Sequence, residues 1–202
     1  CPPGEVWKGE IIFEGRDMLK ITAEEHRQLN GKRIAMIFQD PLSHLNPVYR
    51  VGWQIIETMT AHGRPAPAAR QRALELIARV GIPDPEHAMT KFPHEFSGGQ
   101  RQRLMIAMAL MLKPDILIAD EPTTALDVTI QAEVLALLRE LQAETGMGLL
   151  LITHDLGVVA EAADRVVVMN AGQVVETGTA RQVYHNPQHP YTRKLIAAAP
   201  GK

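Results

Sequence analysis

Two carboxylates in succession, Asp120-Glu121, end the apolar run Ile116-Leu117-Ile118-Ala119. That placement puts charge at the carboxyl end of a buried strand, where open α/β sheets bind their ligands. Asp120 has the chemistry to hold Mg²⁺ there, directly or through water, and Glu121 to orient or deprotonate an attacking water. An acidic pair after a strand is also a common solvated turn, so the pair gains its weight from Pro122-Thr123-Thr124-Ala125-Leu126-Asp127 directly behind it. Upstream, Ser97-Gly98-Gly99-Gln100 opens a helical apolar pattern. Ser97 and Gln100 have the spacing of a capping box. The same turn, with glycines removing bulk from the positive end of a helix dipole, also exposes backbone N–H groups to a phosphate. Both functions are open to this turn, and the nearby strand to Asp120-Glu121 favours the phosphate.

Weaker candidates stand at other strand ends. Gln39, after Ile37-Phe38, offers a neutral amide to Mg²⁺ or a water, or is simply a strand-terminal polar residue. His154, after Leu151-Ile152-Thr153, offers a hydrogen bond to a terminal phosphate, or caps the next helix with Asp155. His185 and His189 have the spacing of a helical metal pair, but Pro187 breaks the helix that would align them. Arg101, Arg103 and Lys113 read as solvated or capping charges, and Met105, Met108 and Met111 as core. Trp7 and Trp53 belong to no motif.

Strands and helices alternate around these residues, which predicts an α/β core. Strands are expected at Glu10–Glu14, Arg33–Phe38, Ile116–Ala119, Gly148–Ile152, Arg165–Met169 and Gln173–Glu176, with the third and fourth central and the last two joined by the turn Asn170-Ala171-Gly172. Val128 to Glu144 carries Ile130, Val134, Leu137, Leu138 and Leu141 on one helical face, with Asp127 as N-cap and Gly146 as stop. Residues 42–95 differ: helices near Val51–Ala61 and Ala68–Val80, with no buried strand, predict a helical subdomain inserted into the core. A turn-rich tail at 186–202 leads into a short last helix.

Composition bounds the function. A chain of 202 residues, 46% hydrophobic, has the apolar content of an ordinary globular protein. The formal charge of −2, without runs of Lys or Arg, carries no electrostatic footprint for nucleic acid. A single cysteine excludes an internal disulfide framework or four-thiolate site and suggests a reducing compartment. No signal peptide is visible, and the longest apolar run, Leu104–Leu112, is far short of the ~18 residues of a membrane span. A membrane role would therefore come through a partner.

Taken in order, Gln39, Phe96-Ser97-Gly98-Gly99-Gln100, the run 116–121, Thr124-Ala125-Leu126-Asp127 and His154 resemble the Q-loop, signature, Walker B, D-loop and H-loop of an ATP-binding-cassette ATPase. Phe96 stands where leucine is commoner. The stretches 36–48, 105–131 and 186–195 resemble the ATPase subunits of dipeptide, oligopeptide and nickel importers. The resemblance covers essentially the whole chain. It implies a P-loop NTPase-like cassette core with an inserted helical subdomain, hydrolysing ATP with Mg²⁺ on the cytoplasmic face of the inner membrane. Partners implied are a second cassette, a membrane permease and, indirectly, a substrate-binding protein, with no nucleic acid. It further implies that Asp120 and Gln39 serve Mg²⁺, Glu121 the attacking water and His154 the γ-phosphate. Ser97, Gly98, Gly99 and Gln100 would meet the nucleotide of the opposite subunit, with Asp127 at the seam. No G-x-x-x-x-G-K-[ST] phosphate loop occurs in the sequence, so the resemblance implies a cassette lacking its N-terminal strand and Walker A, inactive alone. The cysteines of a C-terminal iron–sulfur extension are also missing, and no cluster is expected. Two rivals are a non-transport cassette ATPase and a non-enzymatic remnant or paralogue that only dimerises.

Overall fold

The computed structural model describes residues 8–39, 44–124, 126–154, 159 and 163–198. The described chain opens with an antiparallel hairpin, β1 (Ile12–Phe13) and β2 (Arg16–Asp17), and a short helix, α1 (Ala23–Leu29). Thr22 and Glu25 form a reciprocal capping box at the start of α1, which satisfies orphan N–H groups of the first turn. Arg33 ties the hairpin to the core by pairing with both Glu14 and Asp115.

The centre is a parallel sheet in the order β3 (Ile34–Ile37), β4 (Ile116–Asp120), β5 (Gly148–Ile152). Between β3 and β4 run helices α2 (Val51–Thr60), α3 (Ala66–Arg79), α4 (Pro85–Ala88) and α5 (Gly98–Ala109). The long helix α6 (Val128–Thr145) links β4 to β5. It starts on the Asp127 side chain, which accepts from the Ile130 N–H, and stops at Gly146, whose φ of 69° favours glycine. Alternation along the strands sends Ala35, Ile37, Leu117 and Ala119 to one face. All are buried in one cluster with Leu104 and Ile106 of α5 and Val134 and Leu138 of α6. Each large aliphatic residue buried there contributes about 1.5–3 kcal/mol.

The other face differs. Met36, Phe38, Leu150 and Ile152 are exposed, with Met36, Ile118 and Leu150 in register across the three strands. Parallel sheets are ordinarily covered on both faces, and among the described residues only one is. β5, expected to be central, is an edge strand among the described elements, so its side chains are only partly buried. Met36 and Phe38 border an apolar cavity of about 920 Å³ that also reaches Tyr49, Trp53, Met105 and Met108. Trp53, which has no motif, stacks on Tyr49.

A second antiparallel pair, β6 (Arg165–Asn170) and β7 (Gln173–Thr179), turns at Ala171-Gly172 and carries a bulge at Val168/Met169. Helices α7 (Ala180–His185) and α8 (Pro190–Ala197) follow. Glu176 of β7 accepts from the backbone N–H groups of Gln188 and His189, pinning the turn before α8. His185 and His189 fall in separate elements, as the break at Pro187 predicts. Among the described residues no helix is long and apolar enough to cross a membrane.

Candidate functional site

The parallel order of β3, β4 and β5 brings three carboxyl ends side by side, and each end delivers polar side chains, two of them at β4. Gln39 lies just past β3, Asp120 ends β4 with Glu121 directly behind it, and His154 lies just past β5. The Glu121 N–H donates to the Ile152 carbonyl at 2.9 Å, so the ladder runs one residue beyond the strand. The Thr124 N–H then donates to the Glu121 carbonyl at 3.1 Å, closing the turn Glu121-Pro122-Thr123-Thr124. Glu121 takes a φ of 42°, a left-handed conformation that a non-glycine residue keeps only when its surroundings fix it.

Those surroundings converge on its carboxylate. Gln39 Nε2 donates to Oε2 at 2.7 Å and Thr124 Oγ1 to the same oxygen at 2.8 Å. His154 Nδ1 lies 3.1 Å from Oε1. The Thr124 hydroxyl first, then His154, then Gln39, hold the carboxyl below the usual glutamate range, because each favours the ionised form. An ionised carboxylate only accepts. The Gln39 amide therefore presents its nitrogen, and His154 carries its proton on Nδ1. The structure thus places the amide of Gln39 and the ring of His154 on Glu121, with the Gln39 amide oxygen left to face other ligands.

Asp120 projects to the uncovered face of the sheet, in register with Ile152. No described side chain hydrogen-bonds its carboxylate, and the described residues hold no group of three or more His, Cys, Asp and Glu suited to a metal. Mg²⁺ is commonly bound through one or two carboxylates plus phosphate oxygens and waters. Asp120, with the Gln39 amide oxygen, fits that partial role and not a closed metal cage.

A second group forms elsewhere. Ser97 caps α5: its N–H donates to Gln100 Oε1 at 3.0 Å, and its Oγ accepts from the Gln100 N–H at 3.3 Å. The capping box is therefore real, and it leaves Ser97 and Gly98 exposed at the helix N-terminus. Gly99 is required by packing as well, since a Cβ there would lie 2.6 Å from Ile130 Cγ2. Gly98 faces Leu126. The Ser97 turn thus lies against the start of α6, which Asp127 caps. Among the described residues no hydrogen bond joins this group to the Glu121 cluster.

Thr124 lies in the stretch that resembles a D-loop, but no role was expected of its hydroxyl, which reaches the Glu121 carboxylate. The signal that finds it is a hydroxyl at the closing position of the turn after Glu121. Arg101 and Arg103 act as carbonyl caps, on Pro93 and Val80, and Arg103 also pairs with Glu133.

The profile of the ABC transporter family matches residues 4–124, and that of the oligopeptide/dipeptide transporter C-terminal region matches residues 175–201. The chain is 54% identical to the oligopeptide transport ATP-binding protein OppD of Bacillus subtilis (strain 168), over 98% of this chain and 56% of that protein. It is likewise 54% identical to the dipeptide transport ATP-binding protein DppD of Escherichia coli (strain K12), over 98% of this chain and 61% of that one. The chain therefore spans less than two thirds of either relative. Among solved structures, cbiO1 from Clostridium perfringens, part of the ABC transporter complex cbiONQ, superposes with a TM-score of 0.78 at 30% identity over 96% of this chain and 74% of that one. A dimeric post-hydrolysis ATP-binding cassette, MJ0796 bound to ADP and Pi, gives 0.75 at 26% identity over 87% of this chain and 75% of that one.

Proposed function

Because this chain belongs to the ABC transporter family, we propose that it is part of the ATP-hydrolysing subunit of a peptide importer. The observation that carries the proposal is the convergence of Gln39, Thr124 and His154 on Glu121. That carboxylate is ionised, oriented and partly exposed at the end of a sheet strand, as a base for water must be. The match of the tail to the oligopeptide/dipeptide region supports the peptide class.

The bound nucleotide would place its γ-phosphate near the carboxyl ends of β4 and β5. Glu121 aligns a water and accepts its proton as the water oxygen bonds to phosphorus. The bond from phosphorus to the bridging oxygen breaks, and ADP and phosphate leave. Mg²⁺, when bound, neutralises phosphate charge; Asp120 and Gln39 are the residues that would hold it. His154 keeps Glu121 aimed and offers its ring to the phosphate. In such sites positioning and charge stabilisation supply most of the rate.

Ser97 and Gly98, exposed, with the half-buried Gly99 and Gln100, lie apart from Glu121 and suit the nucleotide of a second cassette, with Asp127 at the seam. Residues 42–95 would form the helical subdomain, moving with nucleotide closure. The apolar cavity beside Phe38, Tyr49 and Trp53 supports docking to a membrane permease, with Gln39 linking it to the reacting centre. The protein would then sit on the cytoplasmic face of the membrane.

Two assays test this on the full-length protein: Mg²⁺-dependent ATP hydrolysis by the purified protein, and uptake of labelled di- and oligopeptides by a deletion strain. Hydrolysis together with lost peptide uptake is expected. Absent hydrolysis would overturn the enzymatic role, and intact peptide uptake with lost nickel uptake would overturn the substrate class.

A further inference from the structure

The two oxygens of the Glu121 carboxylate are unequally occupied. Among the described residues, Oε2 accepts from Gln39 Nε2 and from Thr124 Oγ1, at 2.7 and 2.8 Å, whereas Oε1 meets only His154 Nδ1, at 3.1 Å. A carboxylate has about four acceptor directions, roughly two per oxygen. Oε2 is therefore full, and Oε1 keeps one direction open. We infer that Thr124 is a positioning residue for hydrolysis: its fixed bond to Oε2 orients the carboxylate and leaves Oε1 as the more open oxygen, which takes the proton of the attacking water. The inference rests on the ATP hydrolysis proposed above.

The three donors are not equivalent. His154 has a side chain 76% exposed, and Gln39 is an exposed residue on a long flexible side chain. Both can leave Glu121 for another ligand at small cost. Thr124 cannot. Its N–H holds the Glu121 carbonyl while its hydroxyl holds the carboxylate of the same residue. The preceding Thr123 is buried, and its carbonyl accepts from the Leu126 N–H at 3.2 Å. Gln131 Nε2 in turn donates to the Leu126 carbonyl at 3.0 Å. A β-branched side chain adds a stiff χ1. Thr124 is thus the donor that persists when Gln39 and His154 turn to nucleotide.

During turnover the water oxygen forms its bond to the γ-phosphorus as the bond to the bridging oxygen of ADP breaks. That electron pair stays with ADP, and the water proton passes to Oε1. With the Thr124 hydroxyl missing, the carboxylate rotates more freely and either oxygen meets the water, with poorer alignment to phosphorus.

The test compares Thr124→Val, which keeps the shape and removes the hydroxyl, with Thr124→Ser, which keeps the hydroxyl, in the full-length protein. Thr124→Val should lower kcat on the order of tenfold, as expected for one aligned hydrogen bond to a charged group. ATP affinity and KM should stay near wild type, and Thr124→Ser should recover most of kcat. Thr124→Val with wild-type kcat would overturn the assignment. So would a joint loss of kcat, affinity and thermal stability that serine does not rescue, since that marks a merely structural role. The wild-type control separates the two claims. A wild type without hydrolysis removes the ATPase proposal and this assignment with it, whereas an active wild type with an unaffected Thr124→Val removes this assignment alone.

Discussion

The Ser97 turn and the Glu121 cluster both gather polar groups, yet they are built on opposite principles. The turn is assembled within its own four residues, by reciprocal bonds between Ser97 and Gln100 that span three positions of sequence. The cluster joins Gln39 to Glu121 across 82 positions and His154 to Glu121 across 33. A local motif folds with its helix and needs only that helix to be docked correctly. A convergent one depends on the register of β3, β4 and β5, because a slip of one residue would send Glu121 to the opposite face. The Glu121 cluster is therefore the one whose geometry the whole sheet guarantees. The Ser97 turn is autonomous, which suits the proposed surface that completes its site only when another molecule arrives.

That contrast can be broken at either end. Asp120→Asn should have the largest effect. Removing the metal-site charge should abolish most turnover of the full-length protein and weaken Mg²⁺-dependent nucleotide binding at least about tenfold, since even outer-shell partners of metal sites cost about 10–100-fold. Nucleotide titration with and without Mg²⁺ checks this, and unchanged affinity would remove Asp120 from the metal role.

At the turn the expected cost is structural. Gly99→Ala would set a Cβ 2.6 Å from Ile130 Cγ2, whereas Gly98→Ala meets Leu126 at an ordinary 3.5 Å. Gly99→Ala should therefore lower unfolding stability by about 1–3 kcal/mol, and Gly98→Ala by much less. Denaturant unfolding of the two variants side by side would show it, and equal stabilities would contradict the close packing of α5 on α6.

Acid offers a milder way to separate the regions. The folded-state pKa of Glu121 is depressed, so its contribution to stability is fully present above the unfolded carboxyl value, about 4.3. That contribution is lost only as pH falls through the lower folded value. The Ser97–Gln100 box contains no titrating side chain. In an NMR titration the Glu121 carboxyl carbon should shift only below the ordinary glutamate range, while the Gln100 amide stays in place. A midpoint at or above 4.3 would mean that the three donors do not hold the ionised form in solution.

The same division explains what could be read from residues alone. Asp127 and Gly146 bracket α6 because a cap and a left-handed stop are local devices, and the Ser97–Gln100 spacing announces its own hydrogen bonds. The capping pair Thr22 and Glu25 carries an equal signal for α1, a helix too short for its apolar pattern to add a second one. The β1–β2 hairpin has two-residue strands, too short for any alternation to show. β5 has the apolar content of a central strand, but edge or centre is decided by its neighbours and not by its own residues. Gln39, Glu121 and His154 were legible as a set through their order along the chain. Their meeting on one carboxylate, and the part Thr124 plays in it, follow from sheet order and turn closure, which single residues do not encode.

The central claim is that the convergent carboxylate of Glu121 is the base for hydrolysis, and Glu121→Gln in the full-length protein tests it most directly. Glutamine keeps the shape and most of the hydrogen bonding while removing charge and basicity. Turnover and ATP affinity should be measured on the same preparation. The account predicts a fall in turnover of about 10²–10⁴-fold with ATP affinity little changed, and a nucleotide-held cassette dimer visible by size-exclusion chromatography. Near-normal hydrolysis, or a loss of ATP binding like that expected for Asp120→Asn, would contradict it.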